Sequence, residues 1–345
     1  MRLLLPILIA ISLLFGATPS NATERRTILL VVSGYGLEGG RARPGYEFDE
    51  LSQAYLVFRD NGFDVQIASP LGGVVEADEY DVDKPYNALF LADGVATARL
   101  AATRPLHGLN ASDYAAIFVI GGKGVMFDAP YDPVLKALLV AHYQGGGVLA
   151  AVCHGPAAFI GLKDESGALL IAGQPMAGFT NEEESLFPTK WEPHFPFMLE
   201  DALIAGGARF AEAAPMIPFV QVGDRIVTGQ NPSSTAVTAE ATVRALGVTP
   251  AARELWADER SLALVGRFLE GETAWAKDRL AAEPALYEMP MIAMYGYIQT
   301  QDATADATDL AQGLALMELA APYFDHPRMR EAMAAVRTRL NPSGS

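Results

Sequence analysis

Cys153 is the one cysteine in 345 residues, and it stands in the run Val148-Leu149-Ala150-Ala151-Val152-Cys153-His154-Gly155-Pro156-Ala157-Ala158. An apolar strand that delivers a reactive residue into small residues opening a helix is the layout of a nucleophile elbow, whose tight turn is often strained. At a helix N-terminus, unpaired N–H groups and the positive end of the dipole favour thiolate, the nucleophilic form. The expected chemistry is therefore covalent: attack of the Cys153 thiolate on a carbonyl or amide carbon. The competing reading of a lone cysteine is a small buried hydrophobe. One cysteine excludes an intramolecular disulfide, and with only five histidines it excludes a Cys-rich zinc site. His107, His142, His194 and His326 show no ligand spacing and read as ordinary polar or partly buried residues. No metal or cofactor is expected.

The elements that must position Cys153 follow from the hydrophobic pattern. Thr27 to Ser33, Val65 to Ser69, Ala115 to Ile120 and Gly147 to Val152 are short apolar runs, several ending in glycine-containing loops. Such runs read as buried strands of a parallel sheet. Helices are expected between them, from Phe48 to Asn61 and from about Asp132 to Gln144. Phe219 to Val222 and Arg225 to Thr228 flank Gly223-Asp224 as a hairpin, before a helix near Ser233-Ser234. This alternation predicts an α/β fold: a flavodoxin-like open parallel sheet with helices on both faces, whose ligands sit outside the carboxyl ends of the strands. After about Pro250 the pattern changes to helices alone, from Arg253 to Leu269, Asp309 to Leu319 and Met329 to Leu340. The Met- and Tyr-rich stretch Met289 to Tyr297 reads as helical core rather than a cofactor box, packing on the core or on a second subunit. The division is thus 1–22, 23–250 and an α-helical C-terminal extension, 251–345.

AVCHGPA, with Gly121-Gly122-Lys123-Gly124 upstream and Gly178-Phe179-Thr180-Asn181-Glu182-Glu183-Glu184 downstream, resembles the ThiJ/PfpI superfamily, which has the class I glutamine-amidotransferase-like fold. The resemblance runs from about Thr27 to Gly247. It is closest to the branch of glutathione-independent glyoxalases, also described as D-lactate dehydratases, and heat-shock chaperones. It places Cys153 on the family nucleophile and His154 on its partner. Glu184 falls on the acidic residue that orients the histidine, with Glu183 as second choice because three carboxylates leave the register open. The plain alternative is that all three complement a helix N-terminus. Glu50 falls on the glutamate that approaches the cysteine from the first helix. A carboxyl beside a thiolate is held protonated and can pass a proton as acid and then as base. Gly121 and Gly122, with the His154 N–H, are expected to form an oxyanion hole. Lys123 stands where the glyoxalase branch commonly has histidine, which bears on substrate identity more than on the nucleophile. The loop lacks the spacing of a phosphate loop. Gln230 to Ser234 resembles the family's closing loop and is read as a helix cap.

Arg2, the apolar run Leu3 to Phe15 and the small residues Ser20-Asn21-Ala22 form a signal-peptide layout. The run of about 13 residues is short of the roughly 20 that span a bilayer. Export to the periplasm or medium, with cleavage near Ala22 and no stable membrane anchor afterwards, is the expectation. Lys and Arg total 25 against 41 Asp and Glu, a net charge of −16, so nucleic acid is repelled. The resemblance implies a small carbonyl substrate such as methylglyoxal, or a glycated protein, and a homodimer. It leaves open an amidase or peptidase on the same site. A stress chaperone with Cys153 as a redox sensor is the reading from another class.

Overall fold

The computed structural model describes residues 26–301 and 305–341; the leader expected at 1–22 lies outside them. In chain order the strands are β1 (Thr27–Val31), β2 (Asp64–Ser69), β3 (Arg104–Pro105), β4 (Ala116–Val119), β5 (Val148–Val152), β6 (Pro175–Met176), β7 (Arg209–Phe210), β8 (Val220–Val222) and β9 (Ile226–Gly229). Seven of them form one sheet in the order β3-β2-β1-β4-β5-β9-β8, parallel except for the β8–β9 hairpin, while β6 and β7 pair separately. Register is set centrally by Ile28 opposite Ala116 and Ala116 opposite Val148. The connections reverse direction between β1 and β4, and the crevice at such a switch point is where open α/β sheets place their ligands.

Period-two alternation sorts the strand residues into two cores. Ile28, Leu30, Phe118, Ile120, Val148 and Ala150 face one layer of helices, α1 (Phe48–Asp60), α2 (Pro85–Ala92) and, beyond α3 (Gly94–Ala101), α8 (Thr235–Ala245). Leu29, Val31, Ile117, Val119, Leu149 and Ala151 face the other, made of α4 (Val125–Asp128), α5 (Pro133–Gln144) and α7 (Leu199–Ala205). Burial on both faces explains why β1, β4 and β5 are unbroken apolar runs. The short helix α6 (Asn181–Leu186) lies before α7.

The helical extension comprises α9 (Ala257–Leu269), α10 (Thr273–Ala282), α11 (Met289–Gln301), α12 (Ala307–Ala320) and α13 (Pro327–Leu340). The Met-rich stretch is thus a helix, α11, and it buries Met289, Ile292, Ala293 and Tyr295 within the extension's own core. That core also takes Met216 and Ile217 from the α/β region. The extension joins the helix carrying Glu50 through Tyr86: its hydroxyl donates to Asp258 Oδ2 at 2.9 Å, and its ring meets Trp256 edge-on at 5.1 Å. The same hydroxyl reaches Asp49 Oδ2 at 3.4 Å, and Asp49 also pairs with Lys84. Arg253 pins the connection by pairing with Glu240 of α8 at 2.9 Å and Glu259 of α9 at 2.6 Å.

Candidate active site

β5 ends at Val152, and the next residue, Cys153, takes a φ of +59°, in the left-handed region that side chains disfavour. Strain of this kind, of order 1–3 kcal/mol, persists only where the surroundings hold it. Here the Cys153 N–H donates to Gly229 O at 3.0 Å and the Cys153 carbonyl accepts from the Phe179 N–H at 2.9 Å. The end of β9 and the approach to α6 therefore fix the elbow. The helix expected after the cysteine is a five-residue 3-10 turn, Gly155–Phe159. So short a turn aligns few peptide dipoles. The expectation of a thiol acidified by a helix N-terminus is accordingly corrected: burial, then the Glu50 carboxyl, pushes the Cys153 thiol well above its ordinary value.

Two further side chains converge on Cys153. His154 Nδ1 lies 3.3 Å from Sγ, although the two residues are chain neighbours, and His154 Nε2 lies 2.6 Å from Glu184 Oε1. The imidazole is sandwiched against Phe179, with centroids 4.6 Å apart, and meets Phe195 edge-on at 5.8 Å. These two aromatics were not singled out from the sequence. Burial pulls the His154 pKa below its ordinary value while Glu184 acts against it. The register of the acidic run is resolved by a capping box. Thr180 Oγ1 accepts from the Glu183 N–H at 3.0 Å, and the Glu183 carboxylate reaches back to the Thr180 N–H at 3.3 Å. Glu183, the second choice for orienting the histidine, is instead committed to its cap, to Met216 N–H and to Asn231 Nδ2, both at 2.8 Å. Asn231 in turn caps the 3-10 turn Pro232–Ser234, as the helix-cap reading required.

Glu50 enters from the first turn of α1, fully buried. Its Oε2 accepts from the Gly121 N–H at 2.7 Å, while Oε1 is buried and receives no hydrogen bond among the described residues. The carboxyl also interacts with the Cys153 thiol, the contact a proton exchange between them needs. Burial, and after it the charge of Glu47, holds the Glu50 pKa well above the carboxylate range. Glu47 is a further acid at this edge, raised to about 7 by burial and then by Asp49.

The loop after β4 divides differently from the expectation. The Gly121 N–H is taken by Glu50 and does not point at a reacting oxygen, whereas the Gly122 N–H faces the Cys153 sulfur and favours thiolate. Lys123 is partly buried, and its charge acts in the same direction on Cys153. A Cβ at Gly121 would lie 2.6 Å from Val152 O and 2.8 Å from both Cys153 Cβ and Glu50 Oε2. Gly121→Ala is therefore expected to drive Glu50 and Cys153 apart. The melting temperature should fall by several degrees, and the rate of Cys153 alkylation by iodoacetamide should change at least threefold, because overpacking costs about 1–3 kcal/mol.

Among the described residues no group of three His, Cys, Asp or Glu side chains is placed to hold a metal ion, and no helix is long and apolar enough to cross a membrane. His142 is buried, its ring nitrogens 3.0 Å from Ala111 O and 3.2 Å from Val148 O, and His326 caps α13.

The description of the DJ-1/PfpI family matches residues 42–169. A protein named glutathione-independent glyoxalase hsp3101, from Schizosaccharomyces pombe, is 32% identical over 244 residues, spanning 65% of this chain and 96% of that protein. The chain belongs to the DJ-1/PfpI family. A second relative, glutathione-independent glyoxalase HSP31 of Saccharomyces cerevisiae, is 30% identical over 242 residues and is covered over 98% of its length. Among solved structures, Rapid Encystment Protein 24 kDa of Francisella tularensis superposes with a TM-score of 0.60 at 31% identity, covering 64% of this chain and 99% of that one. Glyoxalase III from Candida albicans gives 0.59 at 28% identity, with 64% and 98% covered. About a third of this family member lies outside each of these matches.

Proposed function

We propose that this protein is a glutathione-independent glyoxalase that converts methylglyoxal to D-lactate through Cys153 and Glu50. The observation that carries the reading is the buried Glu50 carboxyl beside Cys153, one oxygen held by the Gly121 N–H and the other open. The thiolate adds to the aldehyde carbon, forming the S–C bond of a hemithioacetal whose oxygen takes up a proton. Glu50, then a carboxylate, removes the proton on that carbon and returns it to the neighbouring former ketone carbon. Electrons shift from the first carbon to the second, leaving a thioester of 2-hydroxypropanoate. Water cleaves the thioester, releasing lactate and returning the thiol. Oxidation of one carbon balances reduction of the other, so side chains alone complete the cycle without glutathione or metal. The Gly122 N–H and Lys123 are assigned to stabilising negative charge on sulfur and oxygen. Cys153 is only 3% exposed, which favours a small 2-oxoaldehyde over an adduct on a folded protein.

His154 assists proton transfer, and Glu184 is its positioning residue. In Glu184→Gln the histidine keeps a partner but loses its counter-charge. The turnover number is expected to fall roughly 10- to 100-fold, as for other groups that orient a working histidine, with KM little changed. The limb of the pH profile set by His154 should shift to lower pH, because the Glu184 charge that holds its pKa up is gone.

The reading is tested by incubating purified protein with methylglyoxal in the absence of thiol and metal, and assigning the product with stereospecific lactate dehydrogenases. D-Lactate in amounts equal to the aldehyde consumed supports it; no lactate, or a racemate equal to the enzyme-free control, overturns it. We further propose that the chain is exported and begins near Thr23 when mature. N-terminal sequencing of protein from cell fractions tests this, with intact Met1 in the cytosolic fraction as the contrary result.

A further inference from the structure

The seam between α6 and the helical extension forms a partly open cavity of about 330 Å³, within the range of small-molecule sites. Its chemistry is one-sided. Glu182 of α6 and Asp309 of α12 contribute carboxylates, Gln299 and Gln312 contribute amides, and no Lys, Arg or His lines it among the described residues. Between the polar groups the wall is apolar, built from Leu186, Met216, Leu269 and Ile298, with the ring of Tyr295 beside them. The surrounding field is negative as well. Burial, and after it Glu182 and Glu183, pushes the Tyr295 hydroxyl up, and burial, then Glu200 and Glu182, does the same to the Glu212 carboxyl.

We infer that this cavity binds a small organic cation, an ammonium or guanidinium group on a compact apolar body. The cation would lie between Glu182, which is exposed, and Asp309, whose carboxylate also accepts from the Asp306 N–H at 3.0 Å, and against the Tyr295 ring, and the body would fill the apolar wall. The position is coupled to the catalytic edge by the geometry of α6. Glu182 and Leu186, four residues apart, share the face turned to the cavity. Glu184, two residues from Glu182 and so turned by roughly 200° about the axis, reaches His154 on the opposite face. Glu183, between them, holds Met216, whose left-handed φ of +64° marks the cavity wall as a constrained turn. An occupant would therefore press on the same six residues that position the histidine.

The test is calorimetric titration of the full chain with phenethylammonium, 2-phenylethanol and phenylacetate, a matched cation, neutral and anion. Because the readout is binding, its outcome does not depend on the carbonyl chemistry proposed above. The cation is expected to bind at least tenfold more tightly than the alcohol. That preference should be lost in Glu182→Gln/Asp309→Asn, and binding itself should be lost in Ala214→Phe, which fills the cavity from its rim while keeping both carboxylates. Circular dichroism confirms that the variants are folded. Absence of binding by the cation, equal affinity for the alcohol, or unchanged binding in Ala214→Phe overturns the assignment.

Discussion

Cys153→Ala is expected to lower methylglyoxal turnover by at least 10³-fold while leaving the fold intact. The size follows from the role. With the sulfur gone no hemithioacetal forms, and removing a nucleophile that works as a unit with its proton carrier costs about as much as removing the whole unit. Alanine also relieves nothing at the backbone, because the left-handed φ of +59° persists under any L side chain. The variant should therefore melt within a few degrees of the parent, and continuous assay of D-lactate beside a melting curve checks both. Turnover within tenfold of the parent would remove the cysteine from the mechanism.

Glu50→Gln is the second large effect, and it has two signs. Turnover should drop roughly 10²- to 10⁴-fold, the range of general acid–base catalysis, since glutamine can accept from the Gly121 N–H but cannot carry the proton between carbons. Stability should move the other way. Glu50 has a folded-state pKa raised well above 4.5 by burial and then by Glu47, so the folded protein binds its proton more tightly than the unfolded chain does. The stability this contributes is fully present below the unfolded pKa and is lost as pH rises through the folded one. The Cys153 thiol, raised by burial and then by Glu50, works in the same direction at higher pH. Glutamine has no charge to desolvate. The melting temperature of Glu50→Gln relative to the parent is thus expected to climb between pH 5 and pH 8, by about 2–4 °C for each kcal/mol. A difference that is flat across that range would mean that Glu50 is not the buried acid described.

The same pair sets the shape of the activity profile. The reactive form carries one proton on two sites, with the thiolate beside a neutral carboxyl. Loss of the first proton brings activity in and loss of the second removes it, and both steps belong to the pair. A bell-shaped kcat/KM that turns monotonic in Glu50→Gln is the expected signature.

Much of the sheet was legible because its strands are buried on both faces: Thr27 to Val31 and Ala116 to Val119 are read directly from unbroken apolar runs. The helices α2 and α3 escaped because each is eight residues long and they meet at Asp93, leaving no stretch with a full amphipathic period. α11 was legible as helical core over Met289 to Tyr297, and it runs on to Gln301. At the site, Cys153 was legible from the apolar strand that delivers it into small residues, while His154 and Glu50 came from a resemblance, and the fold brings the three together. The choice between Glu183 and Glu184 was within reach of the sequence, since Thr180-x-x-Glu183 is the spacing of a capping box and commits Glu183 to the backbone. The role of Gly121 was not, because it depends on which oxygen of a residue 71 positions away accepts its N–H.

The Tyr86 hydroxyl touches Asp258 at the start of the extension and Asp49, next to Glu50, at the start of α1. Lys84, at the start of the same helix α2, adds its pairing with Asp49. Detachment of the extension therefore strips α1 of a partner at the turn that holds the proton carrier. Slow amide exchange should show it: protection in the first turns of α1 and α9 should decay as one opening event, while the β5 amides behind Cys153 persist. The extension would then act as a clock for the working life of the enzyme, whose activity would be lost on warming before the sheet that carries its sulfur has melted.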